Sequence, residues 1–184
     1  MEPTVHLVLL GPHTRVVASL CAACPIGPVG CCATPPDLSW ADIGRVVSLG
    51  GTAWLAEETR TGRLRRGPHG LVVERIAADP LSTKCVYHGE QGCTVSPDRR
   101  SAACNYYVCG DALAVDEPGV TGAEAASRAW TAQYETWDEV LSAEVGGWAA
   151  RPESPDDDTQ LFEHLGRRFL ELSGQSPDMH PPGE

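Results

Sequence analysis

The stretch CAACPIGPVGCC, residues 21–32, carries four of the chain's eight cysteines within twelve residues. A Cys-x-x-Cys pair such as Cys21 and Cys24 lets the backbone turn so that both sulfurs face one ion, while the amides around them donate hydrogen bonds to the thiolates. The prolines and glycines that follow restrict the chain and allow its backbone to pass close to a bound ion. The stretch therefore predicts a thiolate metal site.

The other four cysteines lie between residues 85 and 109, and the two clusters together predict one set of metal ligands. Cys31 and Cys32 are adjacent, and adjacent side chains of an extended chain point to opposite sides. A strained turn, a division between two metals, or one ligand beside one buried thiol would each resolve this conflict. The predicted ligands are Cys21, Cys24, Cys31, Cys32, Cys85, Cys93, Cys104 and Cys109.

The ligand type leaves the identity and the number of the metals open. Eight thiolates could build two four-coordinate zinc sites, whereas one zinc ion or one 4Fe-4S cluster would leave four cysteines spare. Sets made only of cysteine suit both zinc and iron. Zinc is the first expectation, and the 4Fe-4S iron-sulfur cluster is the alternative.

The same residues also permit other chemistry. An even number of cysteines permits a disulfide framework, and the Cys-x-x-Cys pair could instead be a redox-active dithiol, although the prolines and glycines after it disfavour the helix that such a dithiol needs. His88 could add an imidazole ligand or be a turn residue. Arg99 and Arg100 could neutralise the cysteine cluster and donate to its thiolates, or lie in a surface turn.

Composition limits the classes of protein and partner. With 184 residues and 42% apolar content, the chain is long enough for one domain with its own core, so the cysteines are not needed to hold a very small fold together. A net charge of -11 disfavours nucleic acid, whose phosphates are bound by clustered Lys and Arg. The expected partner is a protein or a small molecule of unknown identity.

The N-terminus and the apolar runs bear on location. Met1-Glu2-Pro3 is acidic where a secretory signal is basic, so no export signal is expected. No apolar stretch approaches the roughly 18 to 20 residues that span a bilayer, so no membrane insertion is expected either. These features predict a cytoplasmic protein, and in a reducing cytosol clustered cysteines bind metals more often than they form disulfides.

The pattern of apolar residues predicts a single α+β domain over residues 1–184, in which a cysteine-rich region of short strands and hairpins packs against several α-helices. Residues 5–10 and 15–20 are predicted to form a hairpin. Ser39 and Asp42 have the spacing of a capping box before a short helix that begins near Trp40. The other elements expected in this half are a helical turn over 52–58, a basic loop over 60–67 whose arginines are solvated, a strand over 71–76, and strands 85–87 and 93–95 around a turn.

The C-terminal region, residues 121–173, is predicted to be helical. Thr121 and Glu124 have the spacing of a second capping box, Gly146-Gly147 would end that helix, and a last helix would begin after Ser154. Residues 175–184 have little to bury and are predicted to form a mobile tail. The apolar stripes at helical spacing are interpreted as core: Trp130, Tyr134, Trp137, Leu141, Val145 and Trp148 on the first helix, and Leu161, Phe162, Leu165, Phe169 and Leu172 on the second.

The cysteine spacing and its flanking residues resemble a known family. Cys-x2-Cys-x6-Cys-Cys over residues 21–32, Leu-Ser-x2-Asp-Ile over 38–43, and Cys-Val-Tyr with Gly-Cys-Thr-Val within 85–104 resemble the YkgJ-type cysteine-cluster family, which is described as a zinc- or iron-chelating domain. The resemblance spans residues 21–109 and implies that the seven matched cysteines chelate the metal; Cys109 is added by proximity alone. The sequence departs from the family pattern at Ser96, Arg100 and Asn105.

Two classes of function follow from these features. The first expectation is a metal-binding protein with an accessory or structural role, with storage or delivery of the metal as a further possibility. The alternative is an iron-sulfur enzyme that carries out redox or group-transfer chemistry on a protein or small molecule, because some members of the resembled family carry the cluster within protein-lysine methyltransferases. No catalytic residue is identified, and no glycine-rich turn for a methyl donor is visible.

Overall fold

The structure is a computed structural model, and it describes residues 5–8, 10–18, 36–76, 84–89, 92–107, 109, 120–148 and 155–174. Within these residues the chain has an α+β fold, in which helices and small antiparallel sheets share one hydrophobic core. This is the predicted fold class. The predicted tail, residues 175–184, lies outside the described residues.

The strands are short and pair only in antiparallel fashion. β1 pairs with β2 as the predicted N-terminal hairpin, β5 lies between β3 and β4, and β6 pairs with β7. The described strands are β1 (Val5–Val8), β2 (Arg15–Ala18), β3 (Leu38–Ser39), β4 (Leu64–Gly67), β5 (Gly70–Val73), β6 (His88–Gly89) and β7 (Gly92–Cys93).

The helices begin at recognisable signals in the sequence. The first starts at the predicted capping box, where the Ser39 hydroxyl accepts from the Asp42 amide at 3.3 Å and the Asp42 carboxylate accepts from the Ser39 amide at 3.2 Å. The described helices are α1 (Trp40–Ser48), α2 (Thr52–Arg60), α3 (Ala102–Tyr106), α4 (Val120–Val145) and α5 (Pro155–Ser173), with a 3₁₀ turn at Pro97–Arg99.

Helix α1 lies at the centre of the fold, in contact with α4, α5 and the sheet formed by β3, β4 and β5. Gly44 allows the close approach of α1 to α5, because a Cβ atom there would lie 2.7 Å from both the carbonyl oxygen of Leu165 and the Cβ of Phe169. Gly166 on α5 has the same role, since its added Cβ would lie 2.3 Å from the side chain of Val47. Neither position has room for a methyl group.

The apolar stripes of α4 and its continuation, and of α5, are core, as predicted. Their aromatic rings also contact one another, with the Trp137 and Phe169 centroids 5.4 Å apart in an edge-on arrangement. Trp130, Leu161 and Leu172 are only partly buried. The fully packed members of the stripes are Tyr134, Trp137, Leu141, Val145, Trp148, Phe162, Leu165 and Phe169.

Three details of the sequence prediction are wrong. The predicted basic loop contains strand β4, in which the guanidinium of Arg66 is buried between Asp158 and the ring of Trp148, 4.7 Å from its centroid, rather than solvated. Helix α4 begins at Val120, before its predicted cap Thr121. Strands β6 and β7 pair inside the predicted turn, because the chain between Cys85 and His88 itself turns.

No helix in the described part of the chain has both the length and the apolar character that crossing a bilayer requires.

Candidate metal centre

Three of the predicted ligands line one cavity. Cys85, Cys93 and Cys104 lie in the wall of an open cavity, whose lining also includes the buried side chains of Leu38 and Val73. The three thiols come from three separate segments, although they lie within twenty residues of one another in the sequence.

Cys85 is placed by an extension of the central sheet. It forms an antiparallel bridge with Arg75, flanked by hydrogen bonds from the Val86 amide to the Glu74 carbonyl at 2.9 Å and from the Ile76 amide to the Lys84 carbonyl at 2.8 Å. Backbone pairing of this kind holds the residue more firmly than a free loop would. The thiol of Cys85 is half-buried.

Cys93 is placed by the β6–β7 hairpin, where it pairs directly with His88. The carbonyl of Tyr87 accepts from both the amide and the hydroxyl of Thr94, at 2.8 and 2.9 Å, which ties the residue after Cys93 back to the segment that carries Cys85. The thiol of Cys93 is exposed and lies 3.7 Å from the carbonyl oxygen of Val95. The hairpin therefore holds Cys85 and Cys93 on one folded unit.

Cys104 is placed by helix α3, which the sequence did not reveal. Ser101 is its N-cap, and the Ser101 hydroxyl accepts from the Cys104 amide at 3.3 Å. The amide of Ala102, the first residue of α3, donates to the buried carboxylate of Asp42 at 2.5 Å. Ser101 is a capping residue three positions before a cysteine, and this is the signal that could have located the helix from the sequence.

The three thiols influence one another's ionisation. Burial raises the pKa of Cys104 to about 11, and the neighbouring thiols of Cys93 and Cys85 raise it further. Burial also raises the pKa of Cys85, again with a contribution from Cys93. Cys104 is nevertheless accessible to solvent, because it lies on the wall of an open cavity. Bringing a cation into the cavity would remove the mutual repulsion of the thiolates and favour their ionised forms.

Two of the thiols also have a hydrogen-bond donor that favours the thiolate. The backbone amide of Tyr87 lowers the pKa of Cys85, and the hydroxyl of Ser101 lowers the pKa of Cys104, in each case against the larger effect of burial. Donors of this kind orient thiolate ligands and tune a bound metal. Because burial outweighs both donors, the pKa of each thiol stays above its normal value of 9.0.

Arg99 and Arg100 also line the cavity, but their hydrogen bonds are to backbone carbonyls. Arg99 donates to the carbonyls of Val46 at 3.3 Å and Leu49 at 3.0 Å, so it caps the C-terminal end of α1. Arg100 donates to the carbonyl of Val95 at 2.7 Å. Both arginines thus hold the segment before Cys104 in place, a role that was not predicted from the sequence.

His88 is a member of β6 at the turn, next to the cysteines rather than in the cavity wall. Its Nε2 atom lies 3.0 Å from the Nζ atom of Lys84. Burial lowers the pKa of His88, and the charge of Lys84 lowers it further, so the imidazole is neutral at physiological pH. His88 pairs with Cys93 across the hairpin, so it is the direct cross-strand neighbour of one of the cavity thiols.

The N-terminal cysteines Cys21, Cys24, Cys31 and Cys32 lie outside the described residues, but the chain on each side of them is near the cavity. Pro36 forms part of the cavity wall. On the other side, β2 contacts α3, and its residue Arg15 lies 4.0 Å from Asp98 in an ion pair. The described chain on either side of these cysteines therefore contacts the helix that carries Cys104, through β2, and the cavity wall, through Pro36.

The described residues do not by themselves form a closed metal site. No group of three His, Cys, Asp or Glu side chains within them is arranged to hold a metal ion. The four described cysteines are all free thiols, and Cys109, which is half-buried, does not contribute to the cavity wall. The donor chemistry fits a thiophilic metal, but a complete site would require the thiols to move together, or a larger inorganic group to span them, and further ligands.

Comparison of the chain with protein-family models, with curated proteins and with solved structures finds no match.

Proposed function

We propose that this protein binds a metal through cysteine thiolates at the cavity lined by Cys85, Cys93 and Cys104. Zinc is the first candidate and a 4Fe-4S cluster the alternative, and the role is accessory or structural. The observation that carries the proposal is that three cysteines from separate segments share one cavity.

The remaining ligands of this site are proposed to come from the N-terminal cluster, Cys21, Cys24, Cys31 and Cys32. Pro36 is four residues beyond Cys32 and already lies in the cavity wall, and four residues of extended chain span about 13 to 14 Å. Cys31 or Cys32 is therefore within reach of the cavity. Cys109 stays in the predicted ligand set, but it does not line this cavity.

The cavity also supports the alternative, an iron-sulfur centre of a redox or group-transfer enzyme. No three ligand-type side chains among the described residues converge on a single point. In a cluster each thiolate binds a different iron, so the sulfurs stand farther apart than around one zinc ion. The resemblance to a family described as zinc- or iron-chelating is compatible with either metal.

We place this function in the cytoplasm, with a protein or a small molecule as partner. Free thiols at Cys85, Cys93, Cys104 and Cys109 and the absence of a membrane-spanning helix among the described residues support this location. The net charge of -11 supports a partner other than nucleic acid.

The test is to purify the full chain without oxygen and to count zinc, iron and sulfide per chain alongside an ultraviolet-visible spectrum. One or two zinc ions in a colourless protein would support the zinc site, and a coloured protein with matched iron and sulfide would support the cluster. Cys104→Ser is expected to lower the metal content, and Cys109→Ser in the same assay shows whether Cys109, which does not line the cavity, is a further ligand. A wild-type protein without metal that also lacks free thiols would overturn the proposal in favour of disulfides.

A further inference from the structure

Buried polar side chains are concentrated next to the cavity. The described residues include six buried polar or charged residues, and four of these, Asp42, Arg45, Ser101 and Asn105, meet around the start of α3, the helix that carries Cys104. Burial of polar groups is costly unless they are paired, so a set that is paired except at the Nε atom of Arg45 favours one particular geometry. The segment held in this way runs from Pro97 to Asn105.

Asp42 connects two helices. One carboxylate oxygen accepts from the Ser39 amide and caps α1, while the other accepts from the buried amide of Ala102, sixty residues further along the chain, and so holds the first residue of α3. The carboxylate also lies at the N-terminal end of α3, where the helix dipole favours a negative charge. Cys104 is two residues beyond this contact.

Arg45 lies one turn further along α1 and is also buried, with 2% of its surface exposed. Its guanidinium donates to the carbonyls of Pro97, at 3.4 Å, and of Arg100. The carbonyl of Pro97 also accepts from the side-chain amide of Asn105 at 2.9 Å. Arg45 thus binds both ends of the turn that precedes α3, and Asn105 closes the connection next to Cys104.

We propose that Asp42 and Arg45 are positioning residues of the metal centre, which hold the Cys104 thiolate in the orientation that a bound metal requires. The inference rests on the proposed function, because it assigns a role in the same site. Asp42 and Arg45 themselves contact no thiol, and both lie in α1, a helix of the core. Outer groups that orient metal ligands typically contribute about 10-fold to 100-fold to metal affinity.

The opposing possibility is that this buried pair only stabilises the fold. Arg66 is the matched control, because it too is a buried arginine, held by Asp158 and the ring of Trp148, and neither of these partners lines the cavity. Replacing either arginine by lysine keeps the charge but removes the planar fork that reaches two acceptors. Both variants are therefore expected to lose stability, and only one is expected to change the metal site.

The experiment titrates the full chain, reduced and stripped of metal, with Co²⁺, whose visible spectrum reports coordination geometry and thiolate ligation. Wild type, Arg45→Lys and Arg66→Lys are compared for affinity, for spectrum and for melting temperature. Arg45→Lys is expected to bind Co²⁺ about 10-fold or more weakly, with altered band positions. Arg66→Lys is expected to keep the wild-type affinity and spectrum at a lowered melting temperature.

The outcomes separate this inference from the proposed function. If wild type gives no thiolate spectrum with Co²⁺, the zinc site and the positioning role are both wrong, and the iron and sulfide count alone decides the 4Fe-4S alternative. If wild type binds Co²⁺ and the two lysine variants have the same affinity and spectrum, only the positioning role is wrong. If Arg45→Lys does not fold, Asn105→Ala decides, because it breaks the contact with Pro97 without leaving a buried charge: weaker binding with an altered spectrum supports the role, and wild-type binding overturns it.

Discussion

The hydroxyl of Tyr87 donates a 2.7 Å hydrogen bond to a carboxylate oxygen of Glu58. Glu58 is buried in helix α2 and also accepts two hydrogen bonds from the guanidinium of Arg63, at 2.6 and 2.7 Å. Tyr87 lies between Cys85 and Cys93 in sequence, so this bond attaches the segment that carries two of the cavity thiols to the helical core. It fixes Cys85 and Cys93 in the way that Asp42 fixes Cys104.

Tyr87→Phe is expected to destabilise the protein by about 1 to 2 kcal/mol, because it removes a hydrogen bond to a buried charged group while the ring keeps its packing against Trp54. Urea unfolding of both proteins measures the change. Tyr107→Phe is the matched control, since Tyr107 is 59% exposed, and it should change stability by no more than about 0.5 kcal/mol. Equal effects of the two substitutions would refute the anchoring role of Tyr87.

Ser101→Ala removes the N-cap of α3 and the hydroxyl that lowers the pKa of Cys104. Stability should fall by about 1 kcal/mol. The pKa of the thiol should rise, so alkylation of Cys104, followed by mass spectrometry, should require a higher pH than in wild type. Ser173→Ala, which removes a side-chain hydrogen bond at the end of α5, should leave this pH profile unchanged. An unchanged profile in Ser101→Ala would contradict the prediction.

Burial raises the pKa of Asp42 to about 6 from a normal 3.8, although the charge of Arg45 lowers it. The folded state therefore binds a proton more readily than the unfolded state, so the cost of the buried charge is present above pH 6 and is relieved as the pH falls through 6 toward 4. Between pH 7 and pH 5 this group should add about 1 kcal/mol to the free energy of unfolding.

Asp42→Asn lacks this titration, so the difference in stability between wild type and the variant should grow in favour of wild type as the pH falls. Urea unfolding at several pH values, with a chelator present to exclude metal release, measures both profiles. Parallel profiles would show that Asp42 titrates normally in the folded protein.

Gly44→Ala places a methyl group 2.7 Å from the backbone of α5, which cannot move without displacing the helix. Overpacking of this kind costs about 1 to 3 kcal/mol, and thermal unfolding should show the loss directly. Gly146→Ala is the control, because its added Cβ would have no atom closer than 3.9 Å. Similar melting temperatures for the two variants would rule out a tight contact between α1 and α5.

Local signals predicted the parts of the fold that depend on near neighbours in sequence. The capping box of Ser39 and Asp42 requires residues only three apart, and the stripe that includes Tyr134 and Trp137 follows from helical spacing. Strand β4 was not predicted, because its arginines were expected to be solvated. The buried partners of Arg66, Asp158 and Trp148, are far away in the sequence.

The predicted site shows the same division between local and distant contacts. The cysteine pattern indicated the chemistry, and three of its members share a cavity, which spacing alone could not establish. The groups that hold the thiols, above all Arg45 and Glu58, lie in helices distant in sequence from the cysteines they support. Nothing in the local sequence distinguishes these residues from ordinary polar positions of a helix.

The seventeen residues between Ala18 and Pro36 begin and end at fixed positions near the cavity. Part of the entropic cost of closing that loop is therefore already met by folding of the hairpin and of α1, before any ligand binds. In the proposed site, the N-terminal thiols would bind as tethered groups, at an effective concentration in the millimolar range, as for short tethers in general. Cutting the chain once between residues 18 and 36 would leave each thiol tethered at one end only, and would lower this advantage while leaving every cysteine in place.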